Sequence, residues 1–162
     1  MTVFDWPIVT QSCCLSLRDV PAIPGAYALV IGLAGGLAFE LRGRQVALVP
    51  GAYLYCGSAY GPGGIAARVG RHARRRKKRH WHVDHLTAAG RVSAIYALPG
   101  GSECALVEQA LALDGVGVPI RGFGASDCRS CAAHLLSLPE KSAPAGWPRL
   151  FGDSAGSWHF AG

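Results

Sequence analysis

The densest chemistry in the sequence is a run of cations. Eight of the 16 Lys and Arg residues lie between Arg68 and Arg79, with no acid among them. Outside that span the chain has 8 basic and 10 acidic residues, so a near-neutral protein carries one basic segment. A patch of this kind suits polyanions. Nucleic acid is the partner it fits best, held by its phosphates rather than read by its bases. Arg71, Arg74, Arg75, Arg76, Lys77, Lys78 and Arg79 are the candidate contacts. The plainer reading of any charge run is a solvated surface. Trp81 follows the run and could stack on a base, although core packing is the simpler role for it.

Two further strings have metal-ligand residue types. His80, His82, Asp84 and His85 form an H-x-H-x-D-H pattern, whose simpler reading is structural support beside the basic segment. Cys128, Cys131 and His134 follow one another at three-residue intervals, and Cys104 could complete a Zn²⁺ set with them. The reading preferred over zinc is buried, inert thiols. Cys13 and Cys14 are adjacent, which is poor disulfide geometry. The N-terminal segment lacks the basic and apolar regions of a secretory signal, so reduced thiols and a cytoplasmic location are expected.

These residues need a scaffold, and the composition allows one. The chain has 162 residues, half of them hydrophobic and 16% charged, enough for one packed domain and its extensions. Its 22 glycines have no period, and no segment repeats. The uncharged run 20–39 contains two prolines and four glycines, so it reads as two strands and a turn rather than a membrane span. No membrane partner is expected. Tyr27, Leu29 and Ile31 mark one face of a strand that is apolar on both sides. Strands over 37–41, 45–49 and 52–58 follow, separated by Gly-containing turns. Ile65, Val69 and His72 at i, i+4 and i+7 predict a helix over 64–75 that frays where the cations repel one another. A short helix ending at Gly90, a strand over 92–98 and a Ser102-capped helix reaching Leu113 complete the regular elements, before a short apolar element at 132–138. Residues 1–21 read as an N-terminal segment, 22–138 as the domain and 139–162 as a tail.

The order of the strings has a precedent. Gly25-Ala26-Tyr27 opens one strand, and Tyr55-Cys56-Gly57 closes a later one. Arg68 and His72 share a helix face, and Glu103 opens the next long helix. With W-H-x-D, E-C and F-G-x-S-D-C strings, this set resembles the GIY-YIG nuclease superfamily, specifically an uncharacterised subfamily of it. The resemblance covers roughly residues 22–138. It implies an α/β (α+β) fold, a small central and mainly antiparallel sheet flanked by helices. It also implies metal-dependent hydrolysis of phosphodiester bonds in nucleic acid, DNA before RNA. The interval between the tyrosine strings is longer than usual for the superfamily, and an extra hairpin fills it. The superfamily places an Asn after the Glu-bearing helix; this chain has no Asn, and Asp127 or Ser126 would stand there instead.

The resemblance assigns roles. Glu103 would ligate one Mg²⁺ or Mn²⁺ through carboxylate oxygen. Arg68 would fork onto phosphate oxygens, and His72 would shuttle a proton. Tyr27 would orient or deprotonate the attacking water, with Tyr55 on phosphate. A phenol titrates near 10, so a basic Tyr27 needs the positive field of Arg68 and a metal to lower it. Each residue also has an ordinary role to set beside this one: core tyrosines, a surface ion pair for Arg68, a solvated His72, and a macrodipole-favoured acid in the first turn for Glu103. A nucleic-acid-binding module without turnover and a zinc-organised interaction domain are the alternatives to the nuclease.

Overall fold

The computed structural model describes residues 17–74 and 76–139. Arg75, Cys13, Cys14 and the tail beyond residue 139 lie outside the described residues. The architecture is α+β. Strands β1 (Gly25–Leu33), β4 (Gly51–Ala59), β5 (Arg91–Pro99) and β6 (Leu135–Ser137) form an antiparallel sheet in the order β5-β1-β4-β6. The segment between β1 and β4 pairs with itself as a separate hairpin, β2 (Leu37–Leu41) with β3 (Arg44–Leu48). The helices are α1 (Gly64–Ala73), α2 (Val83–Ala89) and α3 (Glu103–Leu111). None of them is long and apolar enough to cross a membrane.

β1 is apolar on both sides because both sides are covered. Tyr27, Leu29, Ile31 and Leu33 pack with Ile65 and Val69 of α1 and Val83 and Leu86 of α2. Phe39, Leu41 and Leu48 of the hairpin and Phe123 of a later loop close that same layer. Ala26, Ala28 and Val30 face the other way, toward Leu106, Val107 and Ala110 of α3. The small side chains on this face let α3 approach the sheet closely. Ile65 and Val69 are essentially fully buried, and burial of each contributes about 1.5–3 kcal/mol.

The ends of α1 explain its bounds. Its first turn has no side-chain cap; instead Ile65 N–H donates to Ile23 C=O and Ala66 N–H to Pro21 C=O. The segment leading into β1 thereby satisfies the free amides of the helix start. The helix stops at Ala73, before the cations, and the Lys77 ammonium donates to the carbonyls of Arg71 and His72. α3 begins as the sequence predicts, with the Ser102 hydroxyl accepting from Ala105 N–H. It ends at Leu111, two residues earlier than the apolar pattern suggests.

The two tyrosine strings lie on neighbouring central strands and lock together in register. Tyr27 is opposite Gly57, and Leu29 is opposite Tyr55. A Cβ on Gly57 would lie 2.3–2.8 Å from atoms of the Tyr27 ring, and one on Gly25 would lie 2.3 Å from Leu98 C=O. Both glycines are therefore required for close approach, one by a ring and one by backbone. Replacing Gly57 with Ala is expected to displace Tyr27 and cost about 1–3 kcal/mol. A urea titration checks this; a midpoint equal to wild type would mean that the ring has room.

Candidate functional site

An open cleft of about 710 Å³ lies across the end of β4. Its walls come from separate parts of the chain. β4 supplies Tyr55, Gly57 and Ser58, α1 supplies Arg68, and the segment between α1 and α2 supplies His80, Trp81 and His82. The start of α3 adds Glu103 and Cys104, and the long loop before β6 adds Ser126, Asp127 and Cys128. Three of the five candidate catalytic residues, Tyr55, Arg68 and Glu103, thus share one surface. Ser126 and Asp127 lie on it as well.

Tyr27 and His72 do not line this cleft. They are buried behind Tyr55, at 2% and 1% exposure. The Tyr27 hydroxyl lies 2.6 Å from His72 Nε2. Both rings pack against Tyr55, with centroids 6.3 and 5.9 Å away. The other nitrogen of His72, Nδ1, lies 3.8 Å from Asp84 Oδ1. With the imidazole proton on Nδ1, toward that carboxylate, Nε2 accepts from the Tyr27 hydroxyl. Burial holds His72 down to about 4 despite the opposing pull of Asp84, so the ring is neutral at pH 7.

Arg68 does not by itself acidify either tyrosine. Burial pushes Tyr27 well above its usual range, and the positive field of Arg68 only partly offsets it. Tyr55 is raised for the same first reason, with the neighbouring Cys56 and Asp84 adding to it. Arg68 therefore does not outweigh desolvation at either ring, and both hydroxyls keep their protons at neutral pH.

Asp84 is the hub beneath the cleft. Its side chain is fully buried and accepts from both terminal nitrogens of Arg71, each at 2.8 Å. It also accepts from the backbone N–H groups of His80 and Trp81. These bonds hold its carboxyl far below the usual carboxylate range against the opposing effect of burial. Sequence reasoning missed this role, although Asp84 is the only acid between Glu40 and Glu103 and follows the basic segment closely. The histidines around it do not converge on a metal. His82 Nδ1 accepts from Gly124 N–H, His85 stacks on Phe39 with centroids 4.6 Å apart, and His80 is exposed. The H-x-H-x-D-H string is thus a scaffold that ties the cleft wall to the core.

The basic segment divides. Arg74, Arg76, Lys78 and Arg79 are exposed. The Arg71 guanidinium is taken up by Asp84, and Lys77 by the end of α1. Arg68 has no hydrogen bond or ion pair among the described residues. Its guanidinium lies over the Trp81 ring, 4.7 Å from the centroid, with that of Arg71 at 4.1 Å. Trp81 is half-buried against the core, so it supports both arginines instead of offering a free stacking face. Glu103 likewise has no hydrogen bond or ion pair among the described residues.

The cysteines overturn the expectation of buried, inert thiols. Cys56 fits it, being fully buried in the layer under α3. Cys104, Cys128 and Cys131 are only half-buried, unpaired by any disulfide, and converge with His134. Their ligand atoms lie within 4.8 Å of one another and could hold a metal ion. The Ser130 hydroxyl pulls the Cys128 thiol down to about 5, while burial and the neighbouring thiols push Cys131 up to about 12. The sequence marked Cys128, Cys131 and His134 by spacing and offered Cys104 as the fourth ligand; the fold brings all four together.

The buried pair makes stability depend on pH in a definite direction. His72 titrates near 4 when folded and near 6.5 when free, so between those values the unfolded chain binds the extra proton. Its contribution is complete above about pH 6.5 and falls by about 3 kcal/mol as pH drops toward 4. His82 and His85, also lowered by burial, act with the same sign. Asp84, depressed in the fold, continues the loss below the usual carboxylate range. Lys77, Arg68 and Arg71 face His72 and oppose its protonation further. Urea midpoints at pH 4.5 and 7.5 should differ strongly, and His72→Gln should remove the largest share of that difference. Equal wild-type midpoints would contradict a neutral buried His72.

No curated protein and no solved structure matches this chain. The family described as domain of unknown function DUF123 matches residues 26–149, from the start of β1 through β6 and beyond. That span covers most of the chain, which therefore belongs to the DUF123 family.

Proposed function

We propose that this protein is an endonuclease that hydrolyses phosphodiester bonds of nucleic acid, DNA before RNA, with Mg²⁺ or Mn²⁺ held at Glu103. One observation carries the reading. Tyr55, Arg68 and Glu103, from three distant parts of the chain, line one open cleft, and neither Arg68 nor Glu103 has an ion-pair partner among the described residues. The resemblance to the GIY-YIG superfamily supports the same assignment.

Glu103 suits a hard divalent cation. Such ions bind through one or two carboxylates and keep several waters, and the cleft is open, with Asp127 also on its wall. When bound, the ion supplies charge neutralisation and lowers the pKa of coordinated water. The chain's own groups do the rest. Arg68, steadied by Trp81, pairs with non-bridging phosphate oxygens and stabilises charge that develops there. The Tyr55 hydroxyl, protonated at neutral pH, donates to a phosphate oxygen. Tyr27, whose hydroxyl lies 2.6 Å from His72 Nε2, keeps its proton and braces Tyr55 from behind. Asp84 faces the opposite nitrogen of the neutral His72 ring. Arg74, Arg76, Lys78 and Arg79 hold flanking phosphates without choosing a sequence.

One observation favours a second reading, a nucleic-acid-binding module without turnover. The Tyr27 hydroxyl is buried and bound to His72, away from the cleft. End-labelled single-stranded, duplex and branched DNA and RNA, each with Mg²⁺, Mn²⁺ or EDTA, separate the two. Metal-dependent cleavage supports the nuclease. Binding with no cleavage on any substrate transfers the reading to the module.

A further inference from the structure

We infer that Cys104, Cys128, Cys131 and His134 bind one structural Zn²⁺, and that this ion clamps the long loop before β6 against the start of α3. The inference does not depend on the nuclease reading.

The geometry comes first. Tetrahedral zinc, with bonds of about 2.3 Å to sulfur and 2.0–2.1 Å to nitrogen, sets its ligand atoms roughly 3.5–3.8 Å apart. Cys104 Sγ lies 3.5 Å from Cys128 Sγ and 4.0 Å from His134 Nε2, and the whole set fits within 4.8 Å. Shifts of an ångström or less would close it around an ion. The donors come next. Three thiolates and an imidazole are a soft set that selects zinc over Mg²⁺ or Mn²⁺. Four protein ligands fill the tetrahedron, so no position remains for water or substrate, and the ion is structural rather than catalytic.

The surroundings match. The Cys131 N–H donates to Cys128 Sγ at 3.3 Å, a bond that would stabilise a thiolate ligand within a tight turn. His134 is nearly buried, and its backbone is fixed on both sides. Its N–H donates to Phe123 C=O at 2.8 Å, and its C=O accepts from Cys56 N–H at 2.9 Å. One ligand is thus anchored to the central sheet, one to α3 and two to the loop.

The loop needs such an anchor. Residues 112–134 join α3 to β6 with no helix and no strand, only an isolated bridge from Gly117 to Ser137. A connection of that length is uncommon in a small domain. Ile120 and Phe123 bury two points of it, but the stretch from Ser126 to Cys131 contributes no large apolar side chain to the core. That stretch carries Ser126 and Asp127 on the cleft wall, and Cys104 adjoins Glu103. The ion would therefore fix both acids of the cleft relative to the sheet.

The test uses the full chain, purified in reductant without chelator or added metal. Elemental analysis should find about one zinc per chain, and Cys128→Ser and Cys131→Ser should each bring it close to zero. Should those variants fail to fold, wild-type protein reconstituted with Co²⁺ gives the same answer. It should show the visible bands of a tetrahedral site together with a thiolate charge-transfer band. Chelation should speed proteolytic cutting within 112–134 at least tenfold. Folded, reduced wild type that neither contains nor takes up zinc overturns the site, as does full zinc retention by the cysteine variants. A loop cut no faster after chelation overturns the clamp. Zinc content and proteolysis are read without substrate, so failure here leaves the nuclease reading untouched, and loss of that reading leaves the zinc standing.

Discussion

Glu103→Gln should reduce metal-dependent cleavage by about a thousandfold while leaving the fold and nucleic-acid binding close to wild type. The substitution keeps size and shape and removes one charge. Glu103 makes no hydrogen bond or ion pair among the described residues, so no buried partner is stranded by the change. The remaining penalty is the favourable placement of an acid in the first turn of α3, about 0.3–1 kcal/mol. The loss in rate has a different source. A lone carboxylate holding a divalent ion supports both the nucleophile and the charge at phosphorus, and removing one such contribution typically costs about 10²–10³ or more. Glu108→Gln, on the same helix and exposed, is the control. Single-turnover cleavage, binding and thermal unfolding are measured on all three proteins. Cleavage by Glu103→Gln within a few-fold of wild type would remove Glu103 from the site. A parallel collapse in stability would show that the carboxylate serves the fold instead.

The parts of this arrangement that local pattern encodes were legible. Alternation and turn residues located β1 to β5, while the apolar element at 132–138, open between strand and helix, proves to contain β6; the spacing of Ile65, Val69 and His72 located the buried face of α1. Gly25 and Gly57 could be noticed as parts of strings, but their reason is tertiary: a backbone carbonyl and a tyrosine ring occupy the space a side chain would need. What escaped was whatever depends on long-range approach. Tyr27 was expected at the surface of the site, where positive charge would acidify it. The fold places it under Tyr55, where desolvation governs instead. Arg71 looked like its neighbours in the cation run and is an internal ion pair, because a helix face turns it toward Asp84 while Arg74 and Arg76 fall beyond the helix end. The cysteine quartet is a possible zinc set in the sequence, but inert thiols are the preferred reading there, because Cys104 is 24 or more positions from the other three and spacing does not show that they meet.

Asp84→Ala should be the most damaging single change away from the cleft, lowering stability by about 3–5 kcal/mol. Asp84 has no exposed side-chain surface, and four donors point at it: two from Arg71 and the N–H groups of His80 and Trp81. Alanine removes the acceptor of all four and leaves a guanidinium that is only 23% exposed with Lys78 C=O as its remaining hydrogen-bond acceptor. Asparagine does not rescue it, because its amide N–H₂ must face donors whichever way it turns. An exposed pair would contribute at most about 1 kcal/mol, so the magnitude itself separates an internal hub from a surface contact. A double-mutant cycle with Arg71→Met, followed by urea unfolding, gives the coupling directly; a value above about 2 kcal/mol is expected. Coupling below 1 kcal/mol, with Asp84→Ala nearly as stable as wild type, would contradict the hub. The consequence extends to the cleft. Asp84 fixes the segment that carries Trp81, Trp81 supports Arg68, and the carboxylate also faces His72. On the proposed function, a partly stable Asp84 variant should therefore lose the phosphate contacts proposed for Arg68, although Asp84 lies beneath the cleft. The ion pair that closes the core and the arginine proposed to meet phosphate share one tryptophan ring.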